Sequence, residues 1–146
     1  MMKSAGSVFR LYGNSTEKHL HPEMIAVGSV MLRYCALNAI LLNEYLQVQD
    51  PSSKNPQVVA LRQQLGTAFA HTDETMLSVL DAPDFFTPAD KSVLISTLAT
   101  TLAPLKVFYD PATRTRLRAN FAQRRAAATS AQDQKNFDLA IHELDT

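Results

Sequence analysis

The sequence predicts an all-α protein, an up-down-up-down four-helix bundle with a long first helix and a long C-terminal helix that is either continuous or interrupted. Two patterns predict this fold class. A proline stands at each of four points where a helix is expected to begin, directly after His21, Asn55, Thr87 and Asp110. In the segments that follow, apolar residues recur at intervals of three and four, which places them on one face of a helix. Strand patterns are nearly absent, since only residues 8–12 have the composition of an extended segment.

The residues before the prolines support these helix starts. Proline suits the first helical position, because the N–H that it lacks would be unpaired there and its fixed φ is helical. Asn55, Thr87 and Asp110 are good N-caps, since their side-chain oxygens can accept hydrogen bonds from the first turn. Asp90 follows Thr87 by three residues, which predicts a capping box with aspartate in place of the usual glutamate. His21 is a poor cap, so the first boundary is the least well defined.

The first helix is expected to run from Pro22 to about Val48, and it is apolar over more than half of its circumference. Such a helix needs neighbours on two sides, either within a bundle or from a second subunit. Its polar residues form a narrow stripe, which consists of Ser29, Arg33, Asn43, Glu44 and Gln47.

The same helix approaches the length of a membrane span, since twenty residues between Glu23 and Glu44 contain only one charge, Arg33. An arginine near the middle of a span costs roughly 2.5 kcal/mol or more, whereas each Leu, Ile or Val contributes only about 0.3–0.6 kcal/mol in favour of insertion. We therefore expect a buried central helix of a soluble protein rather than a membrane span.

Residues 49–54 form a short link between the first and second helices, and residues 81–86 form one between the second and third. Helices that follow each other through these links are therefore expected to be antiparallel neighbours. Pro104 lies inside the third helical pattern and is expected to kink or end that helix near Ala103, since it removes a backbone hydrogen bond and crowds the preceding turn. The apolar faces are formed by Val58, Leu61, Leu65, Phe69, Met76 and Leu80 in the second helix and by Leu94, Leu98, Leu102, Leu105 and Tyr109 in the third.

The C-terminal segment offers little to a core in its middle. No large apolar residue occurs between Phe121 and Phe137. We favour one long helix that is weakened in the middle. The alternative is a break near Thr129 and Ser130, where Ser130, with Asp133 three residues further on, has the pattern of a new N-cap.

Length and composition fit one helical domain over residues 1–146, with an irregular N-terminal arm at residues 1–20. The chain carries 14 basic and 14 acidic side chains, so no overall charge draws it to nucleic acid or to membranes. Its single cysteine, Cys35, lies in an apolar stretch and is expected to be a buried thiol rather than a nucleophile. The N-terminus lacks the apolar stretch of a signal peptide, which predicts a cytoplasmic protein.

The four histidines, His19, His21, His71 and His142, do not form a metal-binding pattern. A di-iron bundle needs Glu-x-x-His pairs on two helices, and no such pair occurs. A phosphorelay histidine is also disfavoured at His71, because the carboxylates of Asp73 and Glu74 next to it would repel a phosphoryl group. We therefore interpret the histidines as surface residues and expect no metal and no cofactor.

With no phosphate-binding loop and no nucleophile motif, we expect no enzymatic activity.

A cluster of arginines between residues 114 and 125 is the strongest indication of an interaction surface in the sequence. Five arginines fall within twelve residues that contain no acid, and on a helix Arg114, Arg118 and Arg125 share one face, with Arg124 beside them. Three interpretations are open: a solvated face paired with acids of neighbouring helices, a surface for an acidic protein partner, or a surface for nucleic acid. The predicted partner-binding residues are Arg114, Arg118, Phe121, Arg124 and Arg125.

Phe85 and Phe86 precede the Thr87 cap, and we expect Phe86 to pack onto the first turn of the third helix as a hydrophobic staple rather than to anchor a partner. The sequence as a whole predicts a non-enzymatic protein-binding module, such as an adaptor, a regulatory subunit or a dedicated chaperone. We also expect this protein to self-associate through its first or last helix, as a homodimer or a larger homo-oligomer. The alternative is a nucleic-acid-binding regulator that uses the Arg114–Arg125 face.

Overall fold

The computed structural model describes residues 21–82 and 86–146, without the side chains of His21 and Pro22. The predicted N-terminal arm, the segment at residues 8–12, His19 and the Asp84–Phe85 pair therefore lie outside the described residues. The described part of the chain is all-helical, as predicted, but it has five helices rather than four. These are α1 (His21–Gln49), α2 (Pro56–Val79), α3 (Pro88–Lys106), α4 (Pro111–Ala127) and α5 (Ala131–Asp145).

The predicted helix starts at Pro56, Pro88 and Pro111 are confirmed. The side chain of Asn55 accepts a hydrogen bond from the Gln57 N–H, and that of Asp110 accepts one from the Thr113 N–H. Thr87 and Asp90 form the predicted capping box, in which each side chain accepts from the other residue's backbone N–H.

Pro104 is predicted to kink or end the third helix near Ala103. The helix does not end there, because α3 continues through Pro104 to Lys106. A proline so close to a C-terminus leaves most of the helical hydrogen bonds intact.

The favoured prediction of one continuous C-terminal helix is wrong, and the alternative, a break near Thr129 and Ser130, is confirmed. The chain leaves helical geometry at Ala128, and Ser130 caps α5 by accepting a hydrogen bond from the Asp133 N–H at 3.3 Å. The break allows Phe121 of α4 and Phe137 of α5 to meet in the core, where their ring centroids are 6.4 Å apart. Because of the break, α4 and α5 pack against each other. Both aromatic side chains are then buried on the side where the two helices face the core.

The central helix is α3 and not α1, which corrects the prediction of a buried central first helix. Helix α3 contacts α1 most extensively on one side and α5 on another, and it also contacts α2. Its fully buried leucines show this position in the core. They are Leu94, Leu98, Leu102 and Leu105.

Helix α1 lies at the edge of the described structure and packs on α3 and α2. Its inner face buries Leu32, Cys35, Ala39 and Leu46. Ser29 also faces inward, where its Oγ accepts a hydrogen bond of 3.2 Å from the Thr97 hydroxyl of α3. The prediction of a polar stripe along α1 is therefore wrong at Ser29, since this residue belongs to the helix–helix contact.

Candidate functional site

The outward face of α1 is apolar along nearly its whole length. Eight of its large apolar side chains are 42–76% exposed, although side chains of this kind usually form cores. Seven of them follow one another at intervals of three or four residues, so they form a single stripe along the helix. The eighth, Ile40, lies along the edge of this stripe. We call this stripe the outer face; it consists of Val27, Val30, Tyr34, Leu37, Leu41, Tyr45 and Val48.

Two opposite charges lie along one edge of the outer face. Arg33 and Glu44 are eleven residues apart, which is close to three helical turns and puts both on the same side of the stripe. Both are exposed, and within residues 21–82 and 86–146 neither forms an ion pair. The other edge is neutral at its centre, where the Asn38 amide donates a hydrogen bond to the carbonyl oxygen of Tyr34.

Helix α1 is long and apolar enough, by length and composition, to cross a membrane over Glu23–Gln49. Its inner face nevertheless packs on two other helices of the chain, α2 and α3. Besides the Thr97–Ser29 hydrogen bond, the Arg62 guanidinium of α2 donates a hydrogen bond of 3.0 Å to the side-chain oxygen of Asn43. These polar contacts join α1 to both α2 and α3.

The predicted arginine surface lies on α4, and each of its guanidinium groups has a partner within the chain. Arg118 donates two hydrogen bonds to the carboxylate of Asp145, the shorter at 2.6 Å. Arg125 binds Asp138 at 2.9 Å. Both acids lie on α5, so these ion pairs hold α4 and α5 together.

The other two predicted arginines, Arg124 and Arg114, also have partners in neighbouring elements. Arg124 donates two hydrogen bonds to Asp81, the shorter at 2.6 Å, and its guanidinium holds the pKa of that carboxyl below its usual range. Arg114 donates to the backbone carbonyl of Lys106 at 2.9 Å. The structure therefore places the four predicted arginines next to acids or carbonyls of neighbouring elements, while Phe121 is buried in the core.

A buried polar pair that the sequence analysis did not single out lies between α2 and the turn after α3. Asp73 is fully buried, and its Oδ2 accepts a hydrogen bond of 2.6 Å from the Tyr109 hydroxyl. Its Oδ1 has no hydrogen-bond partner among the described residues. The sequence indicates Asp73 only as a neighbour of His71, whereas in the structure the Asp73 side chain is buried in the core and His71 is exposed.

Burial dominates the electrostatics of this pair. It raises the pKa of Asp73 from 3.8 to about 7, against the opposing effect of the Tyr109 hydrogen bond and with a smaller contribution from the charge of Glu74. Burial, together with the negative charge of Asp73, also raises the pKa of the Cys35 thiol from 9.0 to about 11. A thiol in this state is a poor nucleophile, because the thiolate is the reactive form.

No group of three or more histidine, cysteine, aspartate or glutamate side chains lies close enough together to hold a metal ion in the parts of the chain that the structure describes. His71 and His142 are both exposed.

A cavity of about 560 Å³ lies near the start of α3, between it and the link from α4 to α5. Phe86, which is buried as predicted, and Phe137 contribute to its apolar lining, and Lys91, Arg124 and Asp133 contribute charge. Asp81 also lines it, so two acids face two basic residues. This balance gives the cavity no net charge with which to select a ligand.

Comparisons of the chain with protein-family models, with curated proteins and with solved structures gave no match. The most unusual feature of the described structure is the outer face of α1. Its signal was present in the sequence as the spacing of Val27, Val30, Tyr34, Leu37 and Leu41. The spacing alone does not show which apolar residues of this helix are exposed, because that depends on the tertiary packing.

Proposed function

We propose that this protein is a non-enzymatic, cytoplasmic helical module that binds other protein chains through the outer face of α1. Adaptors, regulatory subunits and dedicated chaperones work in this way. The single observation that carries the proposal is the exposure of seven large apolar side chains in one continuous stripe. Contiguous apolar patches of more than a few hundred Å² are rare on monomeric proteins and mark interaction surfaces.

The size of the outer face fits a protein interface. The exposed part of its seven side chains amounts to something on the order of 800 Å², which is the area that one partner contributes to an interface of standard size. Two of the seven, Tyr34 and Tyr45, are of the residue type that is enriched in interfaces, because the ring is apolar and the hydroxyl can pair at the rim.

Protein is a better occupant than lipid for three reasons. Arg33 and Glu44 border the stripe, and a charge within the hydrocarbon core is costly. The opposite side of α1 is packed on α3 through the buried Ser29, so a span would have to leave that contact. An amphipathic helix that lies on a membrane instead is rich in lysine and arginine on its polar face, whereas the only basic residue in α1 outside residues 21 and 22 is Arg33.

We also propose that the arginine surface is a secondary contact site for an acidic protein partner. A carboxylate of that partner would have to take the place of Asp145 at Arg118 or of Asp138 at Arg125. Such an exchange replaces one ion pair with another of the same kind, so it adds selectivity for acidic chains more than affinity.

Site-specific photo-crosslinking in the native host tests the proposal. A photoreactive amino acid is placed at Leu37, in the middle of the outer face, and in a matched variant at Leu139, which is 39% exposed on α5. Because both positions are partly exposed apolar sites on a helix, they differ mainly in the surface that they probe. We expect a discrete protein adduct from position 37 and none from position 139.

The mass of the adduct identifies the class of partner, since the chain itself has a mass of 16.1 kDa. An adduct with any protein at position 37 supports the proposed function. Equal adducts from both positions, or lipid adducts alone from position 37, would contradict it.

A further inference from the structure

We infer that the occupant of the outer face is a second copy of this chain, with the two α1 helices packed antiparallel about a two-fold axis. The inference rests on the proposed function, because it names the partner of the same surface. It draws on three properties of the stripe: the spacing of its residues, the placement of its charges and its area.

The spacing of the stripe suits a helix pair. Val27, Val30, Tyr34, Leu37 and Leu41 are separated by three, four, three and four residues, the alternation that keeps one apolar seam facing a partner helix. A two-fold axis level with residue 39 sets Leu37 opposite Leu41 of the second copy. The same axis sets Val30 opposite Val48 of the second copy. The pairing is symmetric, so one surface serves both subunits, as in most dimers.

The charges select the antiparallel orientation. In an antiparallel pair the same edges of the two helices meet, whereas in a parallel pair each edge meets the opposite one. With the axis level with residue 39, Arg33 lies within one residue, or about 1.5 Å along the helix, of the level of Glu44 of the second copy. Each pairing occurs twice because of the symmetry. In a parallel pair Arg33 would face the edge that contains Asn38, and both charges would remain unpaired.

The area is sufficient for a stable dimer. Two outer faces bury together on the order of 1,600 Å², the usual total for specific protein–protein interfaces. The segment at residues 1–20 and the lipid bilayer are the other possible occupants, and each gives a different outcome in the tests below.

Sedimentation equilibrium of the full chain is the first test. We expect a reversible monomer–dimer equilibrium, and we expect Leu37→Glu to raise the dissociation constant at least about a hundredfold, because it places two carboxylates in the middle of an apolar seam. Leu139→Glu on α5 is the matched control and is expected to leave the constant unchanged. Leu37 is 54% exposed, so the variant is expected to keep the far-ultraviolet circular dichroism of the wild type.

A charge exchange is the second test, and it reports orientation. Arg33→Glu alone and Glu44→Arg alone each put like charges together twice, and each is expected to weaken the dimer by roughly tenfold. The double variant Arg33→Glu/Glu44→Arg restores both pairs and is expected to return to within about threefold of the wild type.

Each other outcome overturns the inference. A monomer at all concentrations overturns it, and so does a dimer that Leu37→Glu does not weaken. Single charge variants without effect, or a double variant that is not rescued, overturn the antiparallel pairing. Binding of a monomer to phosphatidylcholine–phosphatidylglycerol vesicles through Leu37 identifies lipid as the occupant. A full-length monomer in which a photoreactive group at position 37 crosslinks to residues 1–20 of the same chain identifies that segment. A monomer that still crosslinks to another protein from position 37 overturns the inference but leaves the proposed function standing.

Discussion

The hydroxyl of Tyr109 donates a hydrogen bond of 2.6 Å to Oδ2 of Asp73, and both side chains are buried between α2 and the turn after α3. The hydrogen bond stabilises the ionised carboxylate, but burial opposes ionisation more strongly, and the pKa of Asp73 rises to about 7. The fully buried carboxyl group therefore titrates close to neutral pH.

The stability of the fold is expected to fall as the pH rises from about 4 to about 7. In this window the unfolded state has already lost the proton of Asp73, whereas the folded state retains it, so the unfolded state binds fewer protons and the free energy of unfolding decreases with pH. A shift from 3.8 to about 7 corresponds to a loss of up to about 4 kcal/mol. Urea denaturation of the wild type and of Asp73→Asn between pH 4 and pH 8 measures it.

The asparagine variant is expected to lack most of this pH dependence and to be more stable than the wild type above pH 7, because an amide oxygen can still accept from Tyr109. Tyr109→Phe is the complementary control. It removes the hydrogen bond to the carboxylate, so the decline in stability is expected to continue to higher pH. Parallel pH profiles for wild type and Asp73→Asn would show that this carboxyl group does not titrate as described.

Cys35 is expected to be unreactive in the folded protein. With the pKa of its thiol at about 11, the thiolate makes up about one part in a thousand at pH 8, and the side chain is also buried. We expect maleimide to modify it at least about a hundredfold more slowly than a free cysteine, and at the free rate in denaturant. Fast labelling of the native protein would mean that α1 separates readily from the core.

Gly66→Ala is expected to destabilise the protein. A Cβ atom at Gly66 would overlap the backbone carbonyl oxygen of Phe108, which lies in the turn between α3 and α4. The backbone must shift to make room, which costs about 1–3 kcal/mol and outweighs the better helix propensity of alanine, at roughly 0.5–1 kcal/mol. The neighbouring exposed variant Thr67→Ala is the control and should be close to neutral. A stabilised Gly66→Ala would show that this helix–turn contact is looser than described.

The arginine surface is expected not to bind duplex DNA strongly, because the guanidinium groups of Arg118, Arg124 and Arg125 are already paired with aspartates. A gel-shift series over salt concentration checks this with the wild type and with Arg118→Glu/Arg125→Glu. The expected result is no retarded band for either protein at low salt. The nucleic-acid alternative would be supported by binding that the double variant abolishes and whose log affinity falls with log salt at a slope of about −3.6, the value for four phosphates.

The helix starts could be predicted from the sequence because an N-cap is a local device. Asn55, Thr87, Asp110 and the following prolines are enough to begin a helix at each site, whatever the rest of the chain does. The break between α4 and α5 could be foreseen only as an alternative. A run of alanines and polar residues suits a helix as well as a link, and the choice depends on the packing of Phe121 against Phe137.

The position of α1 could not be predicted in the same way. Its composition shows that it needs apolar neighbours, but composition does not say whether those neighbours belong to the same chain. Likewise, nothing local marks Asp73 as buried, because its partner Tyr109 is 36 residues away. Both features are set by tertiary contacts.

The most direct measurement of whether the outer face is covered by protein is the accessibility of a cysteine placed on it. Leu37→Cys and Leu139→Cys are expressed separately in the native host, with Cys35 retained as a buried, slowly reacting thiol. Maleimide labelling is then followed in the detergent-free soluble extract. We predict that position 37 is labelled several-fold more slowly than position 139 and that dilution or denaturant removes the difference. Equal labelling rates at the two positions, or recovery of the protein only in the membrane pellet, would contradict this account.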